Sequence, residues 1–153
     1  MKQLMWLVLF LLINFSALGI GTWLMNSGPT SNWYLTLNKA PWTPPGWVFG
    51  VAWTTIMVCF SIYLSYLMNA KATDTFWLLF IIQFVLNVSW NYVFFNQHAI
   101  GFGLIVIVLL TVVVGYYLFN FLSEMKLKSL LIAPYFVWLL IATSLNAYSY
   151  LKN

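Results

Sequence analysis

Charge is what this chain most lacks. Only 5% of its 153 residues are Asp, Glu, Lys or Arg, and arginine is missing altogether. An ordinary soluble domain carries about 25% charged residues, so a soluble globular fold is excluded. The six lysines, Lys2, Lys39, Lys71, Lys126, Lys128 and Lys152, are scattered. They form no basic stripe, and no nucleic-acid partner is expected. The one cysteine, Cys59, falls inside an apolar run. It rules out an internal disulfide and reads as a small packed side chain. The one histidine, His98, stands in a short turn and reads as solvated. Without a His, Cys, Asp or Glu cluster, no metal site is expected.

Long apolar runs are present in abundance. Hydrophobic residues make up 63% of the chain and aromatic ones 20%, with nine tryptophans. Five runs, Leu4–Met25, Gly46–Met68, Phe76–Phe95, Ile100–Leu122 and Leu130–Leu151, contain no Asp, Glu, Lys, Arg or His. Each reaches the roughly 20 residues that a bilayer-crossing helix requires. They are continuous rather than alternating, so helices, not barrel strands, satisfy their backbone groups. The expectation is an all-α membrane protein: a five-transmembrane-helix bundle forming one domain over residues 1–153, with a long first loop at 26–45. Lys2 ahead of an apolar stretch has the look of a signal peptide, but the run's length and the lack of a small-residue cleavage site favour a retained helix.

Five spans place the termini on opposite sides. Lys2, Lys71, Lys126 and Lys128 then share one face, and Lys39 and Lys152 the other. This bias predicts a multi-pass cell-membrane protein with a cytoplasmic N-terminus and the first loop outside.

Polar residues inside the spans mark where a site can lie. In the third run Gln83, Asn87, Trp90, Asn91 and Phe94 recur at helical spacing and fall on one stripe. Amides facing hydrocarbon are costly, so this stripe must face the bundle interior. Interhelical hydrogen bonding alone explains such amides; three of them beside a tryptophan also suit a pocket for a neutral, flat, hydrogen-bonding ligand. In the second run Gly46, Gly50, Trp53 and Met57 lie near one face, where small residues allow close approach of a helix or a flat ligand. In the fifth, Pro134, Trp138, Ala142, Leu145, Asn146 and Ser149 do the same, with Ala142 a dent beside the Trp138 wall. The first loop ends helix one at Asn26-Ser27-Gly28-Pro29 and offers Trp33 to Leu37 as a short capping segment. Pro41, Pro44 and Pro45 stiffen the start of helix two, with Thr43 placed to cap its amides and Trp42 and Trp47 at belt depth. Leu145 to Lys152 fits a loose sterol pattern that carries no assignment by itself.

Together these stretches resemble the tryptophan-rich sensory protein family (TspO/MBR), which includes the mitochondrial translocator protein. The resemblance rests on Trp33-Tyr34, on Trp42-Thr43-Pro44-Pro45-Gly46-Trp47-Val48-Phe49-Gly50 followed by Trp53, on Gln83, Asn87, Trp90 and Phe94-Phe95, and on Pro134-Tyr135, Trp138 and Leu145-Asn146. It covers almost the whole length. It implies a homodimeric five-helix bundle whose pocket takes protoporphyrin IX and isoquinoline-carboxamide-type ligands. Carried over by position, the pocket residues are Tyr34, Trp53, Asn87, Trp90, Phe94, Trp138, Ala142 and Leu145. Departures are Lys39-Ala40-Pro41-Trp42 for the family's Lys-Pro-x-Trp, Met57 for a common tyrosine, and Phe102 for a frequent tryptophan; the last two are expected to reshape the pocket.

The leading functional expectation is a membrane receptor or sensor for tetrapyrroles or other flat hydrophobic ligands. Trp53, Trp90 and Trp138 supply flat walls, and Asn87 and Asn91 supply amides. With no charge in the spans, ligand carboxylates must lie at the loop end near Lys39. The resemblance also implies light- and oxygen-dependent degradation of bound porphyrin, with Trp53 and Trp138 as candidate catalytic residues and the pigment supplying the reactivity. No obligatory cofactor is expected; protoporphyrin IX enters as ligand, and membrane lipid is a partner. The alternative is a small-molecule transporter of porphyrin or lipid. The spans contain no ionisable side chain other than tyrosine and Cys59, and in particular no acidic or basic residue of the kind ion coupling uses, which argues against a coupled one. A bare scaffold would not need these amides and tryptophans on one interior.

Overall fold

The computed structural model describes residues 1–70 and 73–153, so Lys71 lies outside the described residues. Helix α1 (Lys2–Leu24) leads through a 3-10 turn at Gly28–Thr30 to the short α2 (Asn32–Thr36). Then follow α3 (Gly46–Ala70), α4 (Asp74–Asn91), prolonged by a π-helical stretch at Tyr92–Asn96, and α5 (Ile100–Asn120). The short α6 (Leu122–Met125) and a 3-10 segment (Lys126–Leu131) connect to α7 (Ala133–Lys152). Four of these helices are each long and apolar enough to cross a bilayer: α1, α3, α4 with its extension, and α5. The fifth span is α7, bent by 71° from Leu122–Leu131.

The expected fourth and fifth runs are therefore shorter than their apolar stretches. Ser123, Glu124, Lys126 and Lys128 stay out of hydrocarbon, and the chain turns across the end of the bundle to accommodate them. Pro134 sits in the first turn of α7, where its missing N–H costs no hydrogen bond. At the same end, Thr73 caps α4 by accepting from the Phe76 amide, and Asp74 complements the helix dipole.

Around the ring α1 packs on α3 and α4, and α5 packs on α4 and α7, with a lighter α3–α7 seam closing it. The half of the bundle near Lys2 is solid. Phe10, Phe60, Phe76 and Tyr117 are fully buried there, and hydroxyl struts cross it. Tyr63 donates to the Tyr117 carbonyl and Tyr117 to the Phe76 carbonyl, both at 2.9 Å. Asn14 donates to Ser61 Oγ at 2.8 Å. Lipid offers no hydrophobic drive between helices, so dense packing and such bonds hold them together. Toward the first loop the bundle is hollow, and α4 crowds α1 at Gly21, where a Cβ would lie 2.7 Å from Asn91 Nδ2. The first loop turns away from α1 at Gly28, whose φ of +48 favours glycine.

Candidate functional site

The hollow half holds a cavity of about 560 Å³ under the first loop, and all nine residues singled out in the sequence line it: Tyr34, Trp53, Asn87, Trp90, Asn91, Phe94, Trp138, Ala142 and Leu145. Four helices converge to bring them together. From α3, Phe49 and Trp53 face inward one turn apart; from α7, Trp138, Ala142, Leu145 and Ser149 form the facing wall. The Trp138 and Phe49 rings meet edge to face at 5.3 Å, which joins the two walls across the light α3–α7 seam. Trp138 Nε1 is buried with no partner among the described residues.

On α4 the stripe divides by depth. Asn87 Nδ2 donates to the Tyr135 hydroxyl at 2.6 Å while its residue borders the cavity. Gln83, one turn deeper, donates to the same hydroxyl at 2.8 Å and does not reach the cavity. Gln83 is thus interhelical glue rather than a member of the pocket, because Tyr135 fills the space beneath Asn87. Trp53 lies edge-on to that tyrosine at 5.9 Å. Higher up, Trp90 Nε1 donates to Asn146 Oδ1 at 3.1 Å, and Asn146 Nδ2 donates to the Ile100 carbonyl at 3.0 Å. This bond pair locks α4, α5 and α7 and fixes Trp90, which stacks on Phe94 at 5.1 Å. The π-helical stretch, marked by the Gln97 amide donating to the Tyr92 carbonyl at 3.0 Å, adds a residue to the turn. Consecutive Phe94 and Phe95 of this stretch both line the cavity.

The first loop is a roof tied down on two sides. Ser31 caps α2 by accepting from the Tyr34 amide, and the Tyr34 ring meets Phe95 at 5.3 Å and Phe94 at 6.5 Å. Trp33 stacks on exposed His98 at 4.2 Å. Across the mouth, the Asn38 amide donates to Asn153 Oδ1 at 3.0 Å, and Asn38 Nδ2 to the Lys152 carbonyl at 3.1 Å. Trp42 Nε1 donates to Ser144 Oγ at 3.1 Å, and its ring meets Tyr148 at 5.4 Å. Trp42 is therefore a roof anchor, whereas Trp47 is exposed at belt position. Thr43 does not cap α3; its hydroxyl donates to the Ala40 carbonyl at 2.7 Å and tightens the preceding turn instead.

Lys39 is the sole charged side chain on the cavity. Its Nζ donates to the Tyr34 carbonyl at 3.2 Å and lies 4.7 Å from the centre of the Tyr34 ring. Burial holds the Tyr34 phenol above its usual pKa, so it stays a neutral donor and acceptor.

Several sequence readings come out differently. Gly46 and Gly50 pack against nothing within 4 Å of an added Cβ, so they do not serve close helix packing within the chain; Gly46 borders the cavity. Met57 is fully buried below the site, and Phe102 is 70% exposed on the bundle exterior. Neither lines the cavity. Sequence reasoning missed the α1 wall of Leu18, Thr22 and Met25. Their i, i+4, i+7 spacing continues from Asn14, one turn before Leu18, and the Asn14 amide in an otherwise largely apolar helix is the signal that could have found this face.

The chain matches the model of the TspO/MBR family over residues 9–151. It is similar to the tryptophan-rich protein TspO of Chlorobaculum tepidum, with 35% identity over 127 residues and 77% of each chain covered. A TspO of Archaeoglobus fulgidus is 31% identical over 143 residues, covering 90% of each. The translocator protein of Homo sapiens is 30% identical over 126 residues, covering 78% of this chain and 73% of its own.

Proposed function

The chain belongs to the TspO/MBR family, and from that premise we propose that it is a membrane receptor binding tetrapyrroles such as protoporphyrin IX, and flat isoquinoline-carboxamide-type ligands, in the roofed cavity. The observation that carries the reading is the cavity's chemistry: aromatic walls from α3, α4 and α7, with one ammonium, Lys39, at the roof and no other charge. Its volume of about 560 Å³ lies within the range of small-molecule sites, roughly 300–1,000 Å³. A flat macrocycle buries its faces against Trp53, Trp138 and the stacked Trp90–Phe94 pair. The amide oxygens of Asn87 and Asn91 have no protein donor among the described residues and suit pyrrole N–H groups. A carboxylate would be costly deep in the bundle, so it belongs beside Lys39.

Light- and oxygen-dependent degradation of the bound pigment is the catalytic extension of this reading, with dioxygen as the oxidant that takes up the electrons, the light-excited pigment as the source of reactivity and Trp53 and Trp138 as the oxidisable neighbours. One experiment addresses both levels. Purified protein is titrated with protoporphyrin IX in the dark, then illuminated at matched occupancy alongside free pigment in the same detergent. Tryptophan fluorescence should quench saturably in the parent, and the midpoint should move at least roughly tenfold in the Trp53→Phe, Trp138→Phe double variant, a loss on the scale of base or ring stacking on two indoles. An unchanged midpoint in a folded variant removes the ligand from this cavity. Faster bleaching of bound than free pigment, slowed in either single variant, supports turnover; equal rates leave the protein a receptor alone.

A further inference from the structure

The floor of the roofed cavity rests on three side chains whose hydrogen bonds do not balance. Asn87 and Gln83, one turn apart on α4, both aim an amide N–H at the Tyr135 hydroxyl, at 2.6 Å and 2.8 Å. All three residues are buried. The Phe60 and Trp53 rings meet the Tyr135 ring edge to face at 5.2 Å and 5.9 Å and hold it in place. A phenol has one proton to give and lone pairs for two bonds. With two N–H groups donating to it, its own proton finds no acceptor among the described residues, and Gln83 Oε1 is likewise buried without a partner. Folded proteins rarely leave a buried donor in that condition.

A half-turn of either amide restores the balance, and it needs no repacking because the oxygen and NH2 ends of an amide are nearly the same size. If Gln83 turns, Tyr135 donates to Gln83 Oε1 and accepts from Asn87 Nδ2, which leaves Asn87 Oδ1 at the cavity. If Asn87 turns, Tyr135 accepts from Gln83 Nε2 and donates to Asn87 Oδ1, which leaves Asn87 Nδ2 at the cavity. The 2.6 Å separation is short for N–H···O and ordinary for O–H···O, so the second arrangement fits the spacing without movement. Either way the phenol makes two bonds and one Gln83 atom stays unpaired, so contacts within the protein leave the two closely matched. Asn87 borders the cavity, whereas Tyr135 and Gln83 do not.

We propose that Tyr135 and Gln83 are positioning residues that let Asn87 offer the cavity either a hydrogen-bond acceptor or a donor, so that one floor takes ligands bearing N–H groups and ligands bearing only a carbonyl. The inference rests on the reading of this cavity as a ligand site and names what selects among its ligands. A tetrapyrrole brings N–H groups and a carboxamide brings a carbonyl; an amide fixed in one sense would favour one class. With the two arrangements closely matched, a single hydrogen bond from the ligand decides between them.

The test uses two flat, neutral tricycles of nearly equal size: carbazole, which has only an N–H to offer, and fluorenone, which has only a carbonyl. Their affinities for the full-length protein are measured by calorimetry in detergent, against protein-free detergent as blank. Both should bind the parent. In Gln83→Leu the phenol proton has Asn87 Oδ1 as its one acceptor, so Asn87 is held with Nδ2 toward the cavity. The ratio of carbazole to fluorenone affinity should then fall roughly fivefold, the scale of one hydrogen bond. Adding Tyr135→Phe frees Asn87 and should return the ratio to that of the parent. A ratio of two ligands on one preparation does not register lost folded protein, so destabilisation alone does not move it. Gln83→Met, of the same length, replaces Gln83→Leu if the latter does not fold. The infrared carbonyl stretch of bound fluorenone gives a readout on the parent itself: donation from Asn87 lowers its frequency, and Asn87→Leu should cancel the lowering. An unchanged ratio in the Gln83 variant, a skew that persists in the double variant, or a carbonyl stretch indifferent to Asn87→Leu each overturns the proposal. Competition with dark protoporphyrin IX is scored separately, and both probes should displace it. A skewed ratio without displacement removes the porphyrin from this cavity and leaves the role of Tyr135 standing; displacement without a skew overturns that role alone.

Discussion

At the scale of single residues the cavity is defined by what is small as much as by what is aromatic. Ala142 lies one turn from Trp138 on the inward face of α7 and is 8% exposed, so its methyl sets how deep a ring can sink between α3 and α7. Ala142→Phe should lower protoporphyrin affinity by at least about tenfold, since a filled site cannot accept the macrocycle without the repacking cost of an overfilled interior. Fluorescence titration of monodisperse parent and variant decides it, and equal affinity places the ligand elsewhere. Asn146 works differently. It satisfies the Trp90 indole and the Ile100 carbonyl at once, so it shapes the cavity by holding Trp90 still rather than by offering a free group. Gln83 shows that an amide on the right stripe is not thereby a site residue: Tyr135 intercepts it.

At the scale of elements the first loop behaves as a roof with identifiable fastenings. Its Tyr34 side leans on Phe94 and Phe95 of the π-helical stretch after α4, while Asn38 and Trp42 tie the other side to the end of α7. These ties are exposed hydrogen bonds, each contributing about 1 kcal/mol, and can open without disturbing the helices. Asn38→Ala combined with Trp42→Phe should therefore speed release of bound porphyrin by about tenfold, with a smaller change in the association rate. Stopped-flow fluorescence measures both. An unchanged release rate would mean that ligands leave between helices and not through the roof.

At the scale of the whole molecule the two ends differ in kind. The end with Lys2, Lys126 and Lys128 is solid, aromatic and crossed by hydroxyl struts; the end with Lys39 and Lys152 is hollow and roofed. From the lysine bias we propose that the solid end faces the cytoplasm, so the cavity should open on the other side of the membrane. A membrane-impermeant amine reagent applied to intact cells should modify exposed Lys152 and leave Lys126 and Lys128 untouched until the membrane is permeabilised. The reverse pattern would invert the molecule and place the mouth in the cytoplasm.

Sequence alone determined the five spans, their helical character and the faces that turn inward. Continuous apolar runs leave no other way to satisfy the backbone in lipid, and amides and tryptophans at helical spacing leave no other direction to face. The nine residues that line one cavity were legible partly from this spacing, as for Asn87, Trp90, Asn91 and Phe94, and partly only from the family resemblance, as for Tyr34. Tertiary structure alone decided what depends on neighbours from distant parts of the chain. Gln83 fell below the pocket because Tyr135 occupies the level beneath Asn87, and Thr43 turned back to Ala40 rather than to α3. Trp42 became a roof anchor because Ser144 stands opposite, while Phe102 faced outward. The α1 wall was marked only by Asn14, one turn before Leu18, in a helix otherwise largely apolar on its remaining sides. The 71° turn before α7 and the approach of the Phe136 ring to Gly115 arise from how two helices meet, and local spacing carries no record of that meeting.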